Sequence, residues 1–192
     1  MDDKLIFVDQ RPSRSDAVRN RELLLETARR LFAEKGVDAV TMSDLAEAAG
    51  VGKGTLYRHF ANKVDLCHEL LDQDQRDLQN RTFARLRENG SPCADMEWFL
   101  REVIAFVMRN QSLVFAESAI AGALAHPAHL WWRQTIRGLL LRLTPNADVE
   151  YLADLLYVML DPRTIYYQVA TRNWGLDQIA SSLIGVLRQL TA

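Results

Sequence analysis

A chain of 192 residues makes one large domain or two small ones and buries roughly 70% of the surface its unfolded form exposes. Hydrophobic residues make up 48% and charged residues 25%, ordinary values for a soluble globular protein, and no apolar run approaches the ~20 residues of a membrane helix. The net charge of -2 hides an asymmetry: residues 10–63 carry ten Lys/Arg against seven Asp/Glu, whereas residues 64–192 carry 12 against 15. A basic first third on an acidic remainder suits a protein whose head touches phosphate.

Cys67 and Cys93 do not pair at metal-site spacing and imply no disulfide framework, so a reducing, cytoplasmic compartment is the default expectation. The stretch from Leu5 to Val8 is too short for a secretory core and follows acids.

In chain order, residues 1–15 read as a tail, because Pro12 between Arg11 and Arg14 discourages helix. A first helix is expected from Asp16 to Lys35, with Leu24, Ala28, Leu31 and Phe32 on one face and Gly36 as its stop. Thr41, followed three residues later by Asp44, resembles a capping box and opens a short helix that ends near Ala49. Gly50 and Gly52 form a tight turn into another short helix, Lys53 to Phe60. Two short helices joined by a glycine turn are the helix-turn-helix layout, here within residues 41–60.

A long amphipathic helix follows from Lys63 to Arg87, and its polar middle, Asp72 to Asp77, suits a helix bridging two bodies. Five more helices are expected, over 94–109, 112–125, 127–143, 148–172 and 175–190, for about nine in all. Pro162 should kink the eighth or end it early. The fold class is therefore all-α, with a tail at 1–15, a helix-turn-helix domain at 16–62 and a larger helical domain at 63–192.

The second helix of the motif has one sticky side. Leu56 and Phe60, four apart, should pack on Leu45 and on the first helix. Lys53, Thr55, Tyr57, Arg58 and His59 are left outward or sideways. Donors and an aromatic on so short a helix make sense if it enters the major groove, where Lys and Arg meet guanine edges or phosphates and hydroxyls meet phosphate oxygens. The plainer alternative is a solvated helical face.

Residues 19–66 resemble the DNA-binding domain of the TetR/AcrR family of bacterial regulators. The resemblance rests on Ala28 to Phe32, Glu34-Lys35-Gly36, Val40-Thr41, Asp44-Leu45-Ala46, Ala49-Gly50-Val51, and above all Lys53 to Phe60 with Lys63 and Leu66. It implies a three-helix DNA-binding head joined by the fourth helix to a ligand-binding and dimerising body. It also implies phosphate contacts from Thr41, Tyr57 and Lys63 and groove contacts from Lys53, Thr55, Arg58 and His59. One departure is Gly52, where the family often has serine. Glycine permits the turn but brings only its backbone N–H to a phosphate.

One recognition helix buries too little for tight specific binding, roughly 600–1,000 Å², so a homodimer with half-sites about 34 Å apart on a palindromic operator in double-stranded DNA is expected. Apolar stripes in the eighth helix (Leu152, Leu155, Leu156, Met159, Leu160) and the last (Ile179, Leu183, Val186, Leu187, Leu190) suit a four-helix bundle of the kind the resemblance implies, or the monomer's own core. Leu156, Leu183, Val186, Leu187 and Leu190 are the expected interface residues.

The body is rich in aromatics. Trp98, Phe106, Phe115, Trp131 and Tyr166, with Glu117, are the expected lining of a site for a small, largely apolar or aromatic effector, although core packing is the commoner role of each aromatic. Further polar members are His126, His129, Arg163 and Gln168. Trp131 and Trp132 cannot share one helix face and should divide between core and surface. The two histidines lack a third ligand for a metal, no cofactor is implied, and no nucleophile–base pair or phosphate loop supports an enzyme. The expected function is a transcriptional regulator, a repressor released from its operator by the effector. The alternative is a regulator with no small-molecule trigger, either constitutive or controlled by a protein partner.

Overall fold

The computed structural model describes residues 14–118 and 127–191. Among these residues the only regular structure is helix: α1 Arg14–Lys35, α2 Met42–Ala48, α3 Lys53–His59, α4 Lys63–Arg87, α5 Pro92–Arg109, α6 Gln111–Ser118, α7 Pro127–Leu143, α8 Val149–Met159, α9 Pro162–Ala170 and α10 Leu176–Thr191. The chain divides into two compact units, 1–66 and 67–192, so the first turn of α4 belongs with the head. That is later than the expected boundary at 62, and Leu66, fully buried, and Lys63, tied to the segment after α1, account for it.

The head is built on a small core. Leu24, Leu25, Ala28, Leu31 and Phe32 line the inward face of α1, joined by Val37, Val40, Leu45, Ala46, Leu56, Phe60 and Leu66. α1 packs on α2 and α2 on α3. α1 begins at Arg14, two residues earlier than expected. It stops at Gly36, whose φ of +81° is the left-handed conformation that a side chain resists, with Gly36 N–H donating to Phe32 O at 2.9 Å.

In the larger unit α5 packs against α6, α7, α9 and α10, and α7 lies along α8. Met96, Phe99, Leu100, Val103, Ile104 and Val107 bury one face of α5 against Trp132, Ile136, Leu139 and Leu140 of α7. Leu71, Gln75, Leu78 and Thr82, at helical spacing on α4, are buried too. Gln75 is the exception within the otherwise polar middle of α4. It turns inward, and its Oε1 accepts the indole N–H of Trp132 at 3.3 Å. Arg133 of α7 pairs with Glu150 and Asp154 of α8, and Arg137 with Glu150. Arg81 bridges Asp77 and Glu102, joining α4 to α5.

Among the described residues the helix count is ten where about nine were expected, and Pro162 is the reason. Leu160 caps the end of α8, Asp161 accepts the Arg163 N–H at 2.8 Å as the N-cap of α9, and Pro162 takes the first helical position, where its missing N–H costs nothing. Pro92 likewise takes the first position of α5, two residues before the expected start, here without a side-chain cap from Ser91. The expected sixth helix over 112–125 is described only as Gln111–Ser118; the rest of that range, and His126, lie outside the described residues.

Candidate nucleic-acid interface

The turn between α2 and α3 is set by one residue in the left-handed region. Gly50 has φ +65°; its N–H donates to Glu47 O at 3.0 Å, and the Val51 N–H reaches Ala46 O at 3.0 Å. This pair of bonds satisfies the last carbonyls of α2 and turns the chain sharply. α3 then begins without a side-chain cap: Gly52 is extended, with φ -66° and ψ 145°, and its carbonyl accepts the N–H groups of Thr55 and Leu56.

At the other end of α2, Thr41 and Asp44 form the expected reciprocal box. Thr41 Oγ1 accepts the Asp44 N–H at 3.2 Å, and Asp44 Oδ2 accepts the Thr41 N–H at 2.9 Å. The Thr41 hydroxyl proton also points to Asp44, at 2.8 Å. The backbone and hydroxyl bonds to Thr41 hold the Asp44 carboxyl below its ordinary value of 3.8. Both donors of Thr41 are therefore engaged within the head.

On α3, Leu56 is completely buried and Phe60 nearly so, while Lys53, Gly54, Tyr57 and Arg58 are exposed and Thr55 and His59 are half-buried. The structure thus gathers Lys53, Tyr57 and Arg58 on the outside of one seven-residue helix. Arg58 Nη2 donates to Thr55 Oγ1 at 3.0 Å, so Thr55 steadies the guanidinium and keeps its own hydroxyl proton to donate. His59 is held below its ordinary pKa of 6.5, first by partial burial and then by the positive charges of Arg58 and Arg21. It presents a neutral imidazole near pH 7. Arg21 lies over the Phe60 ring at 5.5 Å and so adds a cation beside the same helix.

Lys63, expected at phosphate, has partners within the head. Its ammonium donates to the carbonyls of Val37 at 2.7 Å and Val40 at 3.0 Å, with Asp38 O at 3.5 Å. Three carbonyls of the segment before α2 thus occupy the group that the resemblance assigned to phosphate. Lys63 closes the helix-turn-helix at its base, tying the first residue of α4 to the entry of α2. Sequence gave no sign of this bond, since its partners are backbone carbonyls more than twenty residues away. Asn62 was also missed. Its Oδ1 accepts the Asp65 N–H at 2.9 Å and caps α4, a role that an Asn just before a helix does signal.

Among the described residues, the expected effector side chains sit in different surroundings. Trp98 is half-buried under the guanidinium of Arg85 at 5.2 Å. Phe106 packs edge-on against Trp132, with centroids 5.5 Å apart, inside the core. Tyr166 is exposed on α9. The side chains of Phe115, Glu117 and His129 lie outside the described residues. Trp131 lines a groove of about 450 Å³ between α4 and α7, and Gln168, one of the further polar candidates, lines a separate hollow of about 300 Å³. Trp131 and Trp132 do divide as expected, Trp132 buried and Trp131 half-buried.

Of the expected interface residues, Leu156 and Leu187 face the core, 1% exposed each, because α8 and α10 turn those positions toward their own unit. Leu183, 8% exposed, borders a largely apolar hollow of about 300 Å³, Val186 faces outward, and the Leu190 side chain is outside the described residues. The outward stripe of α8 is Tyr151, Leu155 and Val158.

A head whose second motif helix is sealed inside by Leu56 and Phe60 and basic outside is that of a helix-turn-helix DNA-binding protein. Residues 24–70 match the family model described as bacterial regulatory proteins, tetR family. An HTH-type transcriptional regulator of Staphylococcus aureus strain MRSA252 is 26% identical over 176 residues, covering 90% of this chain and 95% of the relative. The fold is shared with a putative transcriptional regulator from Saccharomonospora viridis, solved in complex with choline (TM-score 0.74, 22% identity, 89% and 96% of the two chains), and with a TetR-family regulator from Pectobacterium atrosepticum (TM-score 0.69, 22% identity, 93% and 95%). The match over residues 24–70 and the regulators that resemble the chain along most of its length support a TetR-family DNA-binding transcriptional regulator. Among the described residues no helix is long and apolar enough to cross a membrane, and no group of His, Cys, Asp and Glu is arranged to hold a metal.

Proposed function

We propose that this regulator is a homodimeric repressor that places α3 of each copy in successive major grooves of a palindromic operator and leaves it when a small, largely apolar molecule binds the body. The observation that carries the reading is the outward triad of Lys53, Tyr57 and Arg58 on a helix anchored from behind. Lys53 and Arg58 supply donors for guanine edges or phosphates, Tyr57 a hydroxyl for phosphate oxygens, and Thr55 and His59 shorter-range donors beside them. The Gly52 N–H and Thr41 stand at the starts of α3 and α2 as further phosphate contacts, the latter through a hydroxyl that Asp44 also claims.

Support for two copies comes from α8 and α10. Leu155, Val158 and Val186 are 39%, 47% and 46% exposed beside the hollow that Leu183 borders, and a second copy would cover them. Support for an effector comes from the groove at Trp131. A regulator without a small-molecule trigger is the second reading, favoured by the packing of Phe106 on Trp132, which fills with core what the sequence offered as pocket.

Footprinting on DNA upstream of the protein's own gene tests the proposal. Protection of two half-sites about one helical turn apart is expected. Absence of any sequence-selective protection, with the protein folded and free of added compounds, would overturn it.

A further inference from the structure

The groove between α4 and α7 has a definite chemistry. Its walls are Phe83 and Leu86 of α4 and Trp131 and Leu139 of α7. Trp131 is held edge-on to Phe83, with centroids 6.1 Å apart, and to Phe99, at 5.6 Å, so this wall is braced from two sides. The floor is open because Gly138 stands in the middle of α7: a Cβ built there meets nothing within 4 Å. A glycine inside a helix costs about 1 kcal/mol relative to alanine, and here it keeps space that a side chain would fill.

The polar side is one-sided. Arg142 is the only charged residue among those lining the groove. Its guanidinium has a long contact to Gly90 O, 3.4 Å, which leaves further N–H groups to donate. Gln134 adds an exposed amide. The Thr135 hydroxyl gives its proton to Trp131 O at 3.0 Å. Trp131, Thr135, Gly138 and Arg142 follow one another at helical spacing, so the aromatic end and the cationic end are separated by roughly 16 Å of helix axis.

We infer that this groove is a ligand site for an extended, apolar monocarboxylate, its chain along Trp131, Gly138 and Leu139 and its carboxylate at Arg142. The inference deepens the effector part of the proposed function and rests on it only for the consequence of binding. An uncharged chain of the same length fits the walls but leaves Arg142 without an anionic partner on the ligand. A dianion or a zwitterion finds no second charged group on the lining.

Calorimetric titration of the full-length protein, free of DNA, with decanoate and with decan-1-ol tests the site. Decanoate is expected to bind more tightly than decanol. Arg142→Gln should weaken decanoate about fivefold, the scale of an exposed ion pair, and leave decanol unchanged. Gly138→Leu should abolish binding of both while the helical signal and melting temperature hold or rise. Equal affinity of decanoate and decanol for the native protein, decanoate binding unchanged by either substitution, or no decanoate binding at all would overturn the site. Adding decanoate to the operator complex separates the two claims. Binding with the expected variant pattern but no release from DNA leaves the site standing and overturns release by this ligand. Release that persists in Gly138→Leu overturns the site and leaves the repressor reading standing.

Discussion

The head and the body of this protein use their large side chains in opposite ways. In the head, the core needs Leu56 and Phe60 from α3, and the polar and aromatic residues between them are left outside. In the body, the aromatics that stand out in sequence are mostly consumed by packing: Phe99 and Trp132 are fully buried, Phe106 nearly so, and Trp98 lies under Arg85. A seven-residue helix has one inward stripe, so spacing alone decides which residues face out. An aromatic in a bundle of several helices has many neighbours to choose from, and spacing does not say which it takes.

The contrast can be broken most forcefully at Phe106. Phe106→Ala should destabilise the protein by about 3–4 kcal/mol, as loss of a buried aromatic does, measured by denaturant unfolding. A near-neutral effect would return Phe106 to the lining of a ligand site.

Lys63 sharpens the comparison within the head. With its ammonium on three carbonyls, Lys63→Gln should cost about 1.5 kcal/mol of stability, while the slope of log affinity for DNA against log salt stays as in the native protein. A phosphate contact would instead lower that slope by about 0.9 and leave stability alone.

On the outer face of α8, Leu155→Glu should shift a dimer toward monomer in sedimentation without lowering helix content, since this side chain is exposed in the single chain. Unfolding of the chain would place Leu155 in the core.

The smallest expected effect is at His59. Burial and its cationic neighbours hold its folded pKa below 6.5, so the unfolded chain takes up the proton first. The stability this group contributes is complete above about pH 6.5 and declines as the pH falls below it. His59→Gln should flatten that part of the stability–pH curve. An unchanged curve would mean that the imidazole is already solvated.

How much was legible in the sequence follows the same division. Thr41 and Asp44 announced α2 because a capping box is local chemistry, and the polar, amphipathic run from Lys63 to Arg87 gave α4, although its Asn62 cap went unread. Pro162 announced a break, but only Asp161 as a cap turned the break into a new helix. The outer face of α3 was legible for the reason already given. Lys63 was not, because carbonyls carry no sequence mark. Gln75 read as part of a solvated run, yet it sits in the core as the acceptor for the one fully buried indole N–H. Leu156 and Leu187 suited either a shared surface or the monomer's own core, because an apolar stripe alone does not say what covers it, and both lie in the core of their unit.

The central claim is that the outward residues of α3 read DNA while those behind them only hold the helix. Its most direct test is operator affinity of the double variant Lys53→Ala, Arg58→Ala, measured beside its melting curve. Both side chains are exposed and outside the core, so the fold should be untouched. Affinity should fall roughly 100-fold, the loss of about 3 kcal/mol expected from two direct contacts. An unchanged affinity with an unchanged melting curve would contradict the account and move recognition away from α3.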